Sequence, residues 1–339
     1  MSVINHLYII GNGFDKHHGI NSGYYDYAEW LNCHNSLLLR EIEEKYGYWV
    51  TENGENDFWS KFEENLAEIN IDEQARYIAQ ENYPDFSSDH FSREYHASQV
   101  EAQLQFENIV NGIKNTFKEW VMSLNDAGDV YLPLEIHNSF FLTFNYTLTL
   151  ERHYRIPNEK ILHIHGSMID SNFVLGHGKS IKELENENRS DSEPPIDLDP
   201  EQLSKWYEEH FDQFYEQAYE AIVQQISRLQ KDVNRIIHAN KSNFLLFKDV
   251  PHIHVYGLSF SEIDMPYIRY INELSPSAFW VISYYKEEEK VEFLKRIQDL
   301  NIEKKRYDLV KLKELEHPRQ LVIPFEFKDN ENNEEKAQE

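Results

Sequence analysis

The chain has 339 residues, enough for two domains or one large elaborated one, with 33 Lys+Arg against 60 Asp+Glu and a formal net charge of −27. Such an acidic total repels polyphosphate and argues against a nucleic-acid binder, whose footprint is a basic stripe or patch. Hydrophobic residues at 40 %, with 20 Phe, 21 Tyr and 6 Trp, exclude wholesale disorder, and Cys33 as the single cysteine excludes disulfide frameworks and multi-cysteine zinc sites.

Leu7, Tyr8, Ile9 and Ile10 read as a short strand, Gly11-Asn12-Gly13 as a turn, and an aromatic-rich helical pattern follows Ser22. No basic segment followed by a long apolar one precedes this strand, so no secretory leader is expected. An unbroken apolar run, rather than an alternating one, suits a strand covered on both faces. From about residue 56 to 122 the pattern is helical and polar, closing on Val110, Ile113, Phe117, Trp120 and Val121 as one amphipathic face. A second strand, Phe140 to Phe144, runs into Asn145, with Thr147 as the expected cap of a short helix through Leu148, Leu150 and Glu151. A third is Ile161 to His165.

From about residue 180 to 247 an acidic segment containing Pro194, Pro195 and Pro200 leads into one long helix. Its stripe runs Phe211, Phe214, Ala218, Ile222, Ile226, Leu229, Val233 and Ile236. Thirteen acidic residues between Glu183 and Glu220, against Arg189 and Lys205, make its first part the most anionic region. It reads as a solvated face, or else as a gate or a docking surface for a basic partner. Strands His252 to Tyr256 and Phe279 to Ser283 follow, each with a helix behind it. The first helix carries Ile263, Tyr267, Ile271 and Leu274, with Pro266 in its first turn, and the second carries Val291, Leu294, Ile297 and Leu300. Residues 328–339 form a polar tail expected to be disordered.

Strands alternating with helices imply an α/β fold with a Rossmann-like, mainly parallel sheet flanked by helices. The expected organisation is one domain over 1–327, with two long helical insertions at about 56–122 and 180–247. No apolar run approaches the roughly 18–20 residues that span a bilayer, so a soluble cytoplasmic protein without a membrane partner is expected.

A parallel sheet binds its ligand at the carboxyl ends of its strands, which here carry most of the chemistry. Gly11 and Gly13 either let main-chain N–H groups approach a phosphate or make a tight structural turn; Lys16 stands where a third glycine would complete a dinucleotide fingerprint. Asn12 and Asp15 share that segment. Asn145 either caps a helix or holds a water or ribose hydroxyl beside a reacting sugar carbon. His163 and His165 face one side of a strand, and His165, just before Gly166 and Ser167, is a candidate general base. In Gly257-Leu258-Ser259, Ser259 suits phosphate or ribose; Asp264 suits ribose hydroxyls or ordinary helix-start chemistry. His252 and His254 repeat the spacing of His163 and His165 but lie at the start of their strand, and His177 sits between glycines. One metal site drawing on both pairs is not expected.

The segments Leu7 to Gly19, Thr143 to Tyr154, His163 to Ser167 with Gly176-His177-Gly178, and His254 to Tyr270 together resemble the AbiH family of bacteriophage abortive-infection proteins. Their order is also similar to that of the sirtuin-like domains of anti-phage systems, Rossmann-like folds of which several hydrolyse NAD+. That resemblance implies Asn145 and His165 as catalytic residues, with Gly11, Asn12 and Gly13 as the phosphate-binding loop and Asp264 as an acidic ribose contact. It also implies Asp15, Ser167, Gly257 and Ser259 as further nucleotide contacts. The cysteine zinc ribbon of deacetylating sirtuins is absent, which argues against deacetylation. The function so implied is an abortive-infection effector that hydrolyses the nicotinamide–ribose bond of NAD+ or a related nucleotide, with no metal. The expected partners are the nucleotide itself and a phage-derived trigger, with the long helices of the insertions as the surface for a second copy of the chain. The alternatives are a nucleotide sensor without catalysis and a metal-dependent nuclease.

Overall fold

In the computed structural model, which describes residues 4–47, 57–87, 94–171, 173–189 and 197–316, the apolar runs become strands: β1 (His6–Ile10), β2 (Ser139–Thr143), β3 (Ile161–His163), β4 (His252–Tyr256) and β5 (Phe279–Tyr284). A sixth, β6 (Tyr307–Lys311), lacks the long apolar run that would have marked it in the sequence. The sheet order is β3-β2-β1-β4-β5-β6, and every pairing is parallel. The direction of winding therefore reverses between β1 and β4, where a crevice for ligand opens in folds of this kind. Register brings the strand ends level: Ile10 of β1 pairs with Thr143 and Tyr256, and Thr143 pairs with His163.

Side-chain alternation along the strands divides the core in two. Leu7, Ile9, Leu142, Ile253, Val255, Trp280 and Ile282 belong to one face, and Tyr8, Ile10, Phe141 and Tyr256 to the other. A third core contains no strand residue. It joins the helices Tyr24–His34, Ser36–Tyr46, Ile71–Glu81, Ala97–Ser123 and Gln213–Ser227. Helix Ala97–Ser123 buries the whole expected face of Val110, Ile113, Phe117, Trp120 and Val121. At about 1.5–3 kcal/mol for each large apolar side chain removed from water, this face alone binds the two insertions firmly together.

Several local expectations are corrected. Asn12 and Gly13 are not a loop; with Gly11 as N-cap they open the helix Asn12–His17. Thr147 does not cap a helix, because its hydroxyl donates to Asp15, and the next helix, Thr149–Arg152, starts after Leu148. The long helix expected through Phe211 to Ile236 is two, Gln213–Ser227 and Val233–Ala239. Between them the chain leaves helical geometry to bond with residue 177: His177 N–H donates to Leu229 O at 2.8 Å and Lys231 N–H to His177 O at 2.7 Å. Asp232 then restarts the helix by accepting from Arg235 N–H. The break lets Ile222 and Ile226 pack in the all-helical core while Val233 and Ile236 pack under the sheet. In helix Glu287–Asp299, Val291 is exposed and the buried stripe is Phe293, Ile297 and Leu300. Pro194, Pro195 and the 328–339 tail lie outside the described residues.

Two glycines permit the close contacts that hold these layers. Gly257 has φ of 71°, and a Cβ there would lie 2.0 Å from Phe14 N; Gly176 has φ of 145°, and its Cβ would lie 1.6 Å from Leu229 O. Main chain cannot yield as a flexible side chain can. Gly257→Ala and Gly176→Ala are each expected to destabilise the fold by more than about 3 kcal/mol, read as a large fall in thermal melting temperature. A variant melting within a few degrees of wild type would show that the contact is not rigid.

Candidate functional site

The ends of β1 and β4 meet through main chain alone. Gly11 N–H donates to Tyr256 O at 3.0 Å and Gly13 N–H to Gly257 O at 2.7 Å. A Cβ on Gly11 would lie 2.6 Å from Leu258 Cα, and one on Gly13 2.9 Å from Gly257 Cα. Both glycines are thus required by loop-on-loop packing, and the Gly13 N–H has a protein partner. Asn12 is engaged by Ser22, donating to its main-chain oxygen at 2.8 Å and accepting from its hydroxyl at 2.5 Å.

Behind this junction lies Asp15, 1 % exposed. Its carboxylate accepts from Thr147 Oγ1 at 2.6 Å and Thr149 Oγ1 at 2.7 Å, and the Asn145 amide lies close enough to favour its charged form. Burial pushes its pKa up to about 6, while these donors and the nearby His163 pull the other way. Asn145 in turn donates from Nδ2 to Gly11 O at 3.1 Å. With the amide nitrogen held by Gly11 and turned toward Asp15, the amide oxygen is the atom able to accept from a ligand or water. Asn145 ties the end of β2 to the end of β1, and the opening glycines and the amide form one constellation.

The two histidines after β2 differ. His163 Nδ1 meets Asn145 O at 3.0 Å and its Nε2 meets Glu151 Oε1 at 2.7 Å, so both ring nitrogens have protein partners. His165 is 2 % exposed. Its Nε2 lies 3.2 Å from the Tyr267 hydroxyl, its ring packs edge-on against Phe144 and Tyr267, and Nδ1 has no hydrogen-bond partner among the described residues. Burial, then the charge of Lys231, holds its pKa well below the ordinary imidazole value. It stays neutral near pH 7. No direct hydrogen bond joins Asn145 to His165.

Lys231 belongs to a second constellation that the sequence reading did not single out. Its ammonium is buried, 2 % exposed, and pairs with the Glu63 carboxylate. Glu63 Oε1 also faces the Tyr146 hydroxyl at 3.0 Å, and its charge, after burial, helps hold the Tyr24 hydroxyl protonated. The Tyr146 hydroxyl lies 2.7 Å from Val174 O as well, so its one proton has two acceptors. Asp264 stands beside this group; burial pushes its pKa up to about 6, with Glu63 adding and Lys231 opposing. Its Oδ2 accepts from Ser261 Oγ at 2.9 Å. The preceding loop carries a buried Phe260 at φ of 57°, a left-handed conformation unusual for a bulky side chain. Glu63 and Lys231 come one from each insertion. No motif marks them, and only a charge placed within apolar helical segments could have drawn notice.

The other candidate positions are dispersed. Ser167 is engaged by Asp170, its N–H and Oγ both donating to Oδ2. Ser259 is exposed. His177 ties the segment after β3 to the second insertion, and its Nδ1 is buried without a partner among the described residues. His252 pairs in register with His6 at the strand starts, away from His163, and His254 Nε2 lies 3.1 Å from His6 Nδ1. Among the described residues no three His, Cys, Asp or Glu converge as metal ligands, and no helix is long and apolar enough to cross a membrane.

The model of the family described as bacteriophage abortive infection AbiH matches residues 7–284. That span takes in β1 from Leu7 onward, β2 to β5, both insertions and every residue of the two constellations. The chain belongs to the AbiH family, and membership gives it a role in phage abortive infection. No curated protein matches it.

Asp15 offers a direct test of this electrostatic description. Its carboxyl titrates at 3.8 when unperturbed and at about 6 in the fold. The raised value means that its contribution to stability is complete below about pH 3.8 and is lost as pH rises through about 6. Asp15→Asn abolishes that loss. The stability of the variant relative to wild type should therefore rise between pH 4 and pH 7, by roughly 2–3 kcal/mol, in melts run in parallel. A difference that is flat with pH would mean that Asp15 titrates alike in the folded and unfolded chains.

Proposed function

We propose that the chain acts in abortive infection by hydrolysing the nicotinamide–ribose bond of NAD+ or a closely related nucleotide. The observation that carries this reading is the placement of Asn145 and a neutral, buried His165 after β2 and β3, beside the point where the winding of a Rossmann-order sheet reverses. The Asn145 amide is held from two sides, so its oxygen is a fixed acceptor that can orient a water. The bond between the ribose carbon and the pyridinium nitrogen breaks with both electrons going to the ring, which departs as neutral nicotinamide and needs no acid. Water oxygen bonds to the sugar carbon and its proton passes to the His165 imidazole or to solvent. With the Nε2 proton directed at the Tyr267 oxygen, Nδ1 is the lone pair that receives it.

The depressed pKa of His165 makes it a weak base, and this suits a dissociative reaction. Water attached to an oxocarbenium-like carbon is already strongly acidic, so a neutral acceptor in the right place suffices. Asp264 fits a ribose hydroxyl as acceptor.

Purified protein incubated with NAD+ is expected to release nicotinamide, and Asn145→Ala and His165→Ala should each lower kcat by about 10²-fold or more while remaining folded by circular dichroism. Saturable NAD+ binding without release would favour the sensor. Release undiminished in both variants would remove these two residues from the chemistry.

A further inference from the structure

We propose that Glu151 and His163 are positioning residues for Asn145: Glu151 orients the His163 ring, and the ring Nδ1–H grips the Asn145 main-chain oxygen so that the amide at the crevice keeps one direction. What the amide then does rests on the nucleotide reading above. The assignment starts from the chain around Asn145. The pairing of β2 with β3 ends at Thr143 and His163, so the buried Asn145 lies beyond the last strand residue, and no main-chain N–H among the described residues reaches its oxygen. A buried carbonyl needs a donor. The His163 ring supplies it, with Nδ1 3.0 Å from that oxygen. The Asn145 N–H donates to Thr143 Oγ1 at 3.1 Å and its Nδ2 to Gly11 O at 3.1 Å. Three bonds thus fix one residue.

The count of protons assigns the roles. A main-chain oxygen only accepts, so the proton in the first gap belongs to Nδ1. Across the ring, Nε2 meets Glu151 Oε1 at 2.7 Å, a gap that holds a second proton whether it is written on nitrogen or on oxygen. Both ring nitrogens are committed, which excludes His163 as the general base. Glu151 has no competing polar partner: its Oε2 is buried and unbonded among the described residues, and the two side chains are only 13 % and 17 % exposed. A ring bonded at Nδ1 alone can swing; one bonded at both nitrogens cannot. The connections also close on themselves. Glu151 sits on the helix Thr149–Arg152, Thr149 donates to Asp15 at 2.7 Å, and the Asn145 amide turns toward Asp15. Burial raises the Asp15 pKa, and His163 is among the groups that oppose it. The pair therefore acts on Asn145 twice, on its main chain through Nδ1 and on its amide through Asp15.

Full-length protein carrying isotopically labelled histidine and asparagine is followed by NMR, with signals assigned from His163→Ala and Asn145→Ala, beside nicotinamide release from NAD+. Wild type should show a proton on His163 Nδ1 and a slowly exchanging Asn145 side-chain amide. His163→Ala and Glu151→Ala, folded by circular dichroism, should each speed that exchange and lower kcat by about tenfold or more with KM within about twofold. Glu151→Gln discriminates, because its amide N–H donates to Nε2 and leaves Nδ1–H in place; exchange and kcat should recover to within about threefold of wild type. A His163 ring without a proton on Nδ1, wild-type exchange in Glu151→Ala, or Glu151→Gln as impaired as Glu151→Ala would each overturn the assignment. Wild-type turnover that ignores these variants sinks this inference alone. Absence of turnover in wild type sinks the hydrolase reading, and the ring proton and exchange rates then decide the assignment by themselves.

Discussion

The site depends on a contact between two stretches of main chain. Where β1 and β4 end, Gly11, Gly13 and Gly257 let the backbones approach so closely that any Cβ would collide. The N–H groups of Gly11 and Gly13 close the junction onto Tyr256 O and Gly257 O. Helix Asn12–His17 begins there, and Asp15 on its first turns is thereby driven under the end of β2. A buried carboxylate at that place must be satisfied, and Asn145, Thr147 and Thr149 satisfy it. One backbone constraint thus fixes the orientation of the amide at the crevice. The glycine pair was read as either a phosphate cradle or a structural turn; the packing accounts for its chemistry without a ligand.

A second constraint comes from the insertions. Their helices form a core separate from both faces of the sheet, and such a layer would be free to drift over the strand ends. Packing of Tyr146, Leu148 and Met168 against that core opposes this, and so do polar connections. The Gly176-His177 segment, which follows β3, is stitched by main-chain bonds to Leu229 and Lys231. The Lys231–Glu63 pair then joins the second insertion to the first. Losing one partner of a buried pair leaves an uncompensated charge, which typically costs about 3–5 kcal/mol. The pair therefore favours one placement of the insertions on top of their shared apolar core, whatever its net contribution to stability.

The sheet was legible because its strands are buried on both faces, so apolar runs alone locate β1 to β5, and the reversal of order follows from helical crossovers. Strand β6 was not, since Tyr307, Asp308 and Lys311 give an edge strand no continuous apolar run. The helical stripe from Phe214 to Ile226 was legible by period; its interruption was not, because the cause lies fifty residues away in Gly176 and His177. Asp232 is the local sign that was available, a preferred cap inside an apolar pattern. At the site, residues adjoining strand ends could be found by position. Glu63, Tyr24 and Lys231 could not, since they reach the crevice only through the packing of helices remote in sequence.

The charge total is a poor guide to what such a site admits. With a net charge of −27 the surface opposes anions at long range, but salt screens that field within about 8 Å. Inside the crevice the nearest groups decide, and they are not uniform. The β1–β4 junction presents main chain whose donors are engaged. The insertions present carboxylates and phenols around one neutralised ammonium. In the proposed reaction the positive charge moves from ring to sugar as the bond breaks, and buried groups already held in place need not reorganise. That fixed field, rather than a strong base, is what the arrangement around His165 is suited to provide.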